Sequence, residues 1–208
     1  MIDELKEEVY LYNLLRLLFL KEPTREFIME IAQITLPEEV EDEVDYGLKL
    51  LAISANKNLH RINEYLEDLT FEYTRLFIGP KNPPAVPYAS FYLSETPALM
   101  TEETIMVRKR YLEAGMAVKD LYSMPDDYLG IELEFLYYLT QKIIQDFEEG
   151  RRQEASRNLE LRDDFLREHM RLWVPIFSDK VLENTKEDFY RGAAHILRGV
   201  IQPCALKC

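Results

Sequence analysis

Few side chains in the 208-residue chain are of a type and spacing that could make or break bonds. The three histidines, His60, His169 and His195, stand far apart. A carboxylate-bridged di-iron site in a helical bundle needs Glu three residues before His on two helices. Those positions hold Lys57, Leu166 and Gly192, so the pattern is absent. Cys204 and Cys208 supply two thiolates, too few for a tetrahedral metal site. They read as free thiols on a flexible tail of the last ~8 residues. No His-Glu-x-x-His, Gly-x-Ser-x-Gly or Gly-x-x-x-x-Gly-Lys-Ser/Thr run occurs, which argues against zinc hydrolases, α/β-hydrolases and P-loop NTPases. No catalytic residue, metal ligand or cofactor is therefore expected. What remains is acids and rings. Asp126 and Asp127 open a helix that carries Glu132 and Glu134. Such acids either cap the orphan N–H groups of a helix start or gather into a pocket that receives guanidinium groups. A metal or small-molecule enzyme built on bundle carboxylates stays open as a third reading.

The charge balance narrows the choice of partner. Lys plus Arg number 25 against 38 Asp plus Glu, a net charge of −13. A grip on nucleic acid phosphates needs surplus cations, so none is expected; cationic partners are favoured instead. The longest apolar stretch, Val9–Leu20, is broken by Asn13 and Arg16 and falls short of the ~18 residues of a membrane span. With an acidic N-terminus over Met1–Glu8, the sequence places the protein in the cytoplasm with no stable membrane insertion.

The elements that must position these groups are helical almost throughout. Leu11, Leu14, Leu15 and Leu18 mark a first helix ending near Pro23, and Thr24 to Gln33 a short second one. Pro37 opens a third, with Val40, Val44, Leu48 and Leu51 on one side and a solvated acidic face over Glu38–Asp45. The fourth carries Ile62, Tyr65, Leu69, Tyr73, Leu76 and Phe77, and Gly79-Pro80 stops it. Thr101 caps the next, with the stripe Val107, Tyr111, Ala114, Val118 and Leu121. Further helices start at Pro125, run from Gln153 to Trp173 with a salt-bridged exposed face, and run from Thr185 to Val200. The whole predicts an all-α, single-domain helical bundle over residues 1–208, of about seven to eight helices. One long segment, Gly79 to Met100, departs from the pattern. Its prolines, Pro80, Pro83, Pro84, Pro87 and Pro97, pre-set an extended strap that carries Tyr88, Phe91 and Tyr92. The strap either closes one side of the core or forms the rim of a groove.

Three runs in order are more specific than the composition. They are Glu72-Tyr73-Thr74-Arg75-Leu76-Phe77-Ile78-Gly79-Pro80, Pro87-Tyr88-Ala89-Ser90-Phe91-Tyr92 and Pro125-Asp126-Asp127-Tyr128, followed by His169 and Trp173-Val174-Pro175-Ile176-Phe177. From about Glu64 to Val200 the chain resembles the TorD/DmsD family of cytoplasmic chaperones for twin-arginine-exported molybdenum oxidoreductases. The resemblance implies an all-helical, non-enzymatic protein that binds the twin-arginine signal peptide of a partner and holds the partner until its cofactor is inserted. It carries the binding role to Tyr73, Leu76, Phe77, Pro87, Tyr88, Tyr92, Pro125, Asp127 and Tyr128. The physics of a basic, apolar leader adds Asp126 and Glu132 as guanidinium acceptors. A second reading shares the fold but grips the mature part of a reductase subunit, as nitrate-reductase assembly chaperones do. The long strap lets elements exchange between copies, so monomer and domain-swapped dimer both remain open.

Overall fold

The computed structural model describes residues 1–36, 39–80, 82–94, 100–118 and 124–202. In chain order the helices are α1 (Ile2–Leu20), α2 (Arg25–Ile31), α3 (Glu43–Lys57), α4 (Ile62–Tyr73), α5 (Ala89–Leu93), α6 (Glu102–Glu113), α7 (Leu129–Glu148), α8 (Arg152–Phe165), α9 (Arg171–Asn184) and α10 (Asp188–Ile201). Wide π-type turns over Thr74–Ile78 and Leu166–Met170 prolong α4 and join α8 to α9. Among the described residues every regular element is helical, and the one strand-like feature is an isolated bridge between Tyr88 and Tyr128. The segments outnumber the expected helices for two reasons. The strap contains α5, and the turn Leu166–Met170 divides the helix expected over Gln153–Trp173.

Capping chemistry moved other boundaries. Asp42 accepts the Asp45 N–H and starts α3 at Glu43, so Glu39 and Glu41 precede the helix; Pro37 and Glu38 lie outside the described residues. Glu43 is not a solvated acid, since it binds Arg198 and His195. Helix α6 ends at Glu113 because Gly115 takes a positive φ of 72°, so Val118 is not part of its stripe; Leu121 lies outside the described residues. Thr101 and Gly79 act as the sequence implies, a cap that accepts a backbone N–H and a stop with φ 54°, while Thr24, expected as the first residue of the second helix, caps it by accepting the Phe27 N–H.

The chain forms two compact units, Met1–Leu20 with Tyr88–Trp173, and Lys21–Pro87 with Val174–Cys208. In the first, α1 packs along α7, and α8 covers another face of α7. Leu15, Leu18 and Phe19 of α1 and Leu133, Leu136, Leu139 and Ile143 of α7 are buried at the spacing an amphipathic helix requires. Gly130 admits the end of α1, since a Cβ there would stand 2.9 Å from Leu20. Tyr111, Phe135 and Phe165 complete this core with centroids 4.6 and 5.1 Å apart. Arg162, expected on an exposed face, is buried and binds Glu8 of α1.

In the second unit α3 lies against α10 at backbone-contact range. A Cβ on Gly192 would stand 2.6 Å from Gly47 O and 2.8 Å from Leu51 N, so the seam exists only because both positions lack side chains. Gly192→Ala forces the helices apart and is expected to lower stability by about 1–3 kcal/mol. Urea unfolding reads this as a lower midpoint at constant slope; an unchanged midpoint refutes the close-packed seam.

Candidate functional site

In the first unit, the segment before α7 is sewn to the strap and to α6. The Ala89 N–H donates to Asp127 O (3.0 Å) and the Ser90 N–H to Asp127 Oδ2 (2.9 Å). The Thr104 hydroxyl donates to Asp127 Oδ1 (2.8 Å), and the Arg108 guanidinium donates to Asp126 Oδ2. Tyr111 reaches Asp126 O (2.8 Å), and Tyr128 donates its hydroxyl to Phe19 O on α1. Asp126 and Asp127 therefore do not cap the helix they precede: α7 starts after Tyr128. Asp127 instead caps α5, whose first-turn Ser90 N–H it accepts, 37 residues away in sequence. Both carboxylates are fully buried. Asp127 ties the strap to α6 with both oxygens bonded within the chain, whereas Asp126 binds α6 through Arg108 and keeps Oδ1 buried without a hydrogen-bond partner.

One helical turn on, Glu132 is also fully buried, with Oε1 2.6 Å from Nε2 of His169 on the π-type turn before α9. Burial pushes the Glu132 carboxyl up, and His169 offsets this only in part. Burial pulls His169 down, but the Glu132 carboxylate outweighs it and leaves the imidazole above its usual range. Burial, then the neighbouring carboxylates Glu132 and Asp126, holds the Tyr111 phenol well above its ordinary value. This is a basin of negative potential inside an apolar frame.

The rings are divided. Tyr88 packs at 5.3 Å from Tyr128 with the rings tilted by 49°, and Tyr92 lies nearly parallel to Trp173 at 5.7 Å. Tyr88, Tyr92 and Pro125 keep part of their surface exposed, whereas Tyr128 is buried. Tyr73, Leu76, Phe77 and Pro87 belong to the second unit, and all four are buried there. Tyr73 and Phe77 meet at 5.0 Å, and Phe77 packs on Phe177 and Tyr190 at 5.9 and 5.8 Å. The Leu76 carbonyl accepts the Ala85 N–H at 3.1 Å. These four belong to the core of their unit.

Sequence reasoning assigned no partner to these acids. Ser90, Thr104, Arg108 and His169 supply them, and of these Ser90 and His169 stood in the quoted runs while Thr104 and Arg108 did not. Among the described residues no group of three or more His, Cys, Asp or Glu is placed to hold a metal ion. Nor is any described helix long and apolar enough to cross a membrane.

By comparison with known proteins, the chain falls in a known class. It belongs to the nitrate reductase delta subunit family, whose model matches residues 29–179. Individual relatives are more specific. The chain is 26% identical over 207 residues to the chaperone protein TorD of Vibrio cholerae serotype O1 (strain M66-2), covering 97% of this chain and 90% of the relative. It is 26% identical over 145 residues to the chaperone protein TorD of Vibrio parahaemolyticus, covering 70% and 66%. The Salmonella arizonae chaperone protein TorD matches at 28% over 135 residues, covering 65% of this chain and 58% of the relative.

Proposed function

We propose that this chain is a cytoplasmic chaperone of redox-enzyme maturation that binds the twin-arginine signal peptide of a molybdenum oxidoreductase subunit before export. The observation that carries the reading is likeness along 97% of the chain to a protein named chaperone TorD. Electrostatics supports it: a chain of net charge −13 attracts a basic leader, and salt weakens that attraction. The contact surface includes the partly exposed Tyr88, Tyr92 and Pro125. Asp126, Asp127, Tyr128 and Glu132 act as positioning residues beneath it, and Tyr73, Leu76, Phe77 and Pro87 support the fold. The chain works as a single domain.

Calorimetric titration with a synthetic twin-arginine leader tests the function. The leader is expected to bind, and the same peptide with both arginines replaced by alanine at least tenfold more weakly. Equal affinities, or no binding of either peptide, overturn the reading. The family description, a reductase delta subunit, favours one alternative: a grip on the mature client. A client lacking its leader is captured only under that alternative.

A further inference from the structure

On the first unit, α6 and the turn joining α8 to α9 enclose an open cavity of ≈ 250 Å³. Its floor is apolar, made by Leu93, Val107 and Phe165. Met106 and Leu172 stand at its mouth, 55% and 54% exposed. Large apolar side chains left in water around a concave apolar floor mark a contact surface, and Met adapts to varied partners. The rim is acidic, with Glu103, Asp164 and Glu168 against Arg110. Arg110 and Arg167 already bind Glu168, and Arg167 binds Asp164. Glu103 has no cationic partner among the described residues, although its charge reaches His169 at the cavity wall.

We propose that this cavity is the docking point for the arginine-bearing apolar segment of the leader. One apolar side chain enters against Val107 and Phe165, and a neighbouring guanidinium meets Glu103. The inference rests on the leader-binding reading above and names its surface. Charge complementarity selects the occupant: a basic, apolar peptide satisfies floor and rim together, whereas a second copy brings its own −13 to an acidic rim.

The test combines variants with a probe on the unaltered chain. Against the twin-arginine leader, Leu172→Arg is expected to weaken binding at least tenfold and Glu103→Gln severalfold. Phe71→Ala, at an exposed position of the second unit, should stay within twofold. With methyl-labelled methionine, the leader should shift the Met106 signal and leave Met29 of the second unit unmoved. If the parent chain binds the leader while Leu172→Arg binds within twofold and Met106 stays still, the inference fails and the function stands. If the parent chain binds no leader, the function fails and takes the inference with it. A Met106 shift produced by concentrating the chain alone, or by a client lacking its leader, assigns the cavity to another occupant and overturns the proposal.

Discussion

Asp127→Ala is expected to cost about 3–5 kcal/mol of stability, since each hydrogen bond to a buried charged group contributes ~1.5–3 kcal/mol. The fully buried carboxylate takes the Ser90 N–H on one oxygen and the Thr104 hydroxyl on the other. Truncation leaves the Ser90 N–H of α5 without its acceptor and removes the Thr104 tie, while Arg108 and Tyr111 still join α6 to Asp126. Asp127→Asn separates geometry from charge. Its amide oxygen can still accept from Ser90, and its NH₂ can donate to Thr104, whose hydroxyl also accepts. The amide variant should therefore keep more than half of what alanine loses. Urea unfolding with circular dichroism measures both, with equal slopes showing that only stability changed. Equal losses for alanine and asparagine would mean that the negative charge, not the paired bonds, holds the clasp.

The contrast between Asp127 and the helices shows what the sequence could convey. Helix positions follow from apolar spacing and short-range caps, so Thr101 and Gly79 were legible at once. The helix expected to end at Trp173 meets Pro175 two residues on, and a proline inside a helix forfeits a hydrogen bond. Yet α9 runs on to Asn184, since Val174, Phe177, Ser178 and Val181 form a fully buried face and packing outweighs one lost bond. The acids were recognisable as functional types, but their partners were not. Asp127 meets Ser90 across 37 residues and Thr104 across 23, and Glu132 meets His169 across 37. No local rule pairs residues at such separations. Without the pairing, an acid locked to its own chain looks the same as one waiting for a ligand.

Glu132 and His169 give the second large effect, and pH exposes its sign. Removing one partner of a buried ion pair costs about 3–5 kcal/mol, because the other charge remains buried and unpaired. His169→Ala does this to Glu132, which is fully buried. In the parent chain His169 titrates above its ordinary 6.5, so between 6.5 and its raised value the folded state holds more protons than the unfolded one. Stability from this group is therefore complete below 6.5 and lost as pH rises through the raised value. Glu132 also titrates above its ordinary 4.5. Without His169 to offset burial it rises further, so His169→Ala should be least unstable near pH 5 and worsen steadily toward neutrality. Glu132→Gln removes the charge that raises His169 while keeping a hydrogen-bonding group of similar size. Its loss should be smaller, and the decline above pH 6.5 should flatten. Unfolding midpoints at pH 5, 6.5 and 8 for the three proteins separate these slopes. Three parallel curves would show that the Glu132–His169 contact holds no proton linked to folding, and the pair would then be a packing contact alone.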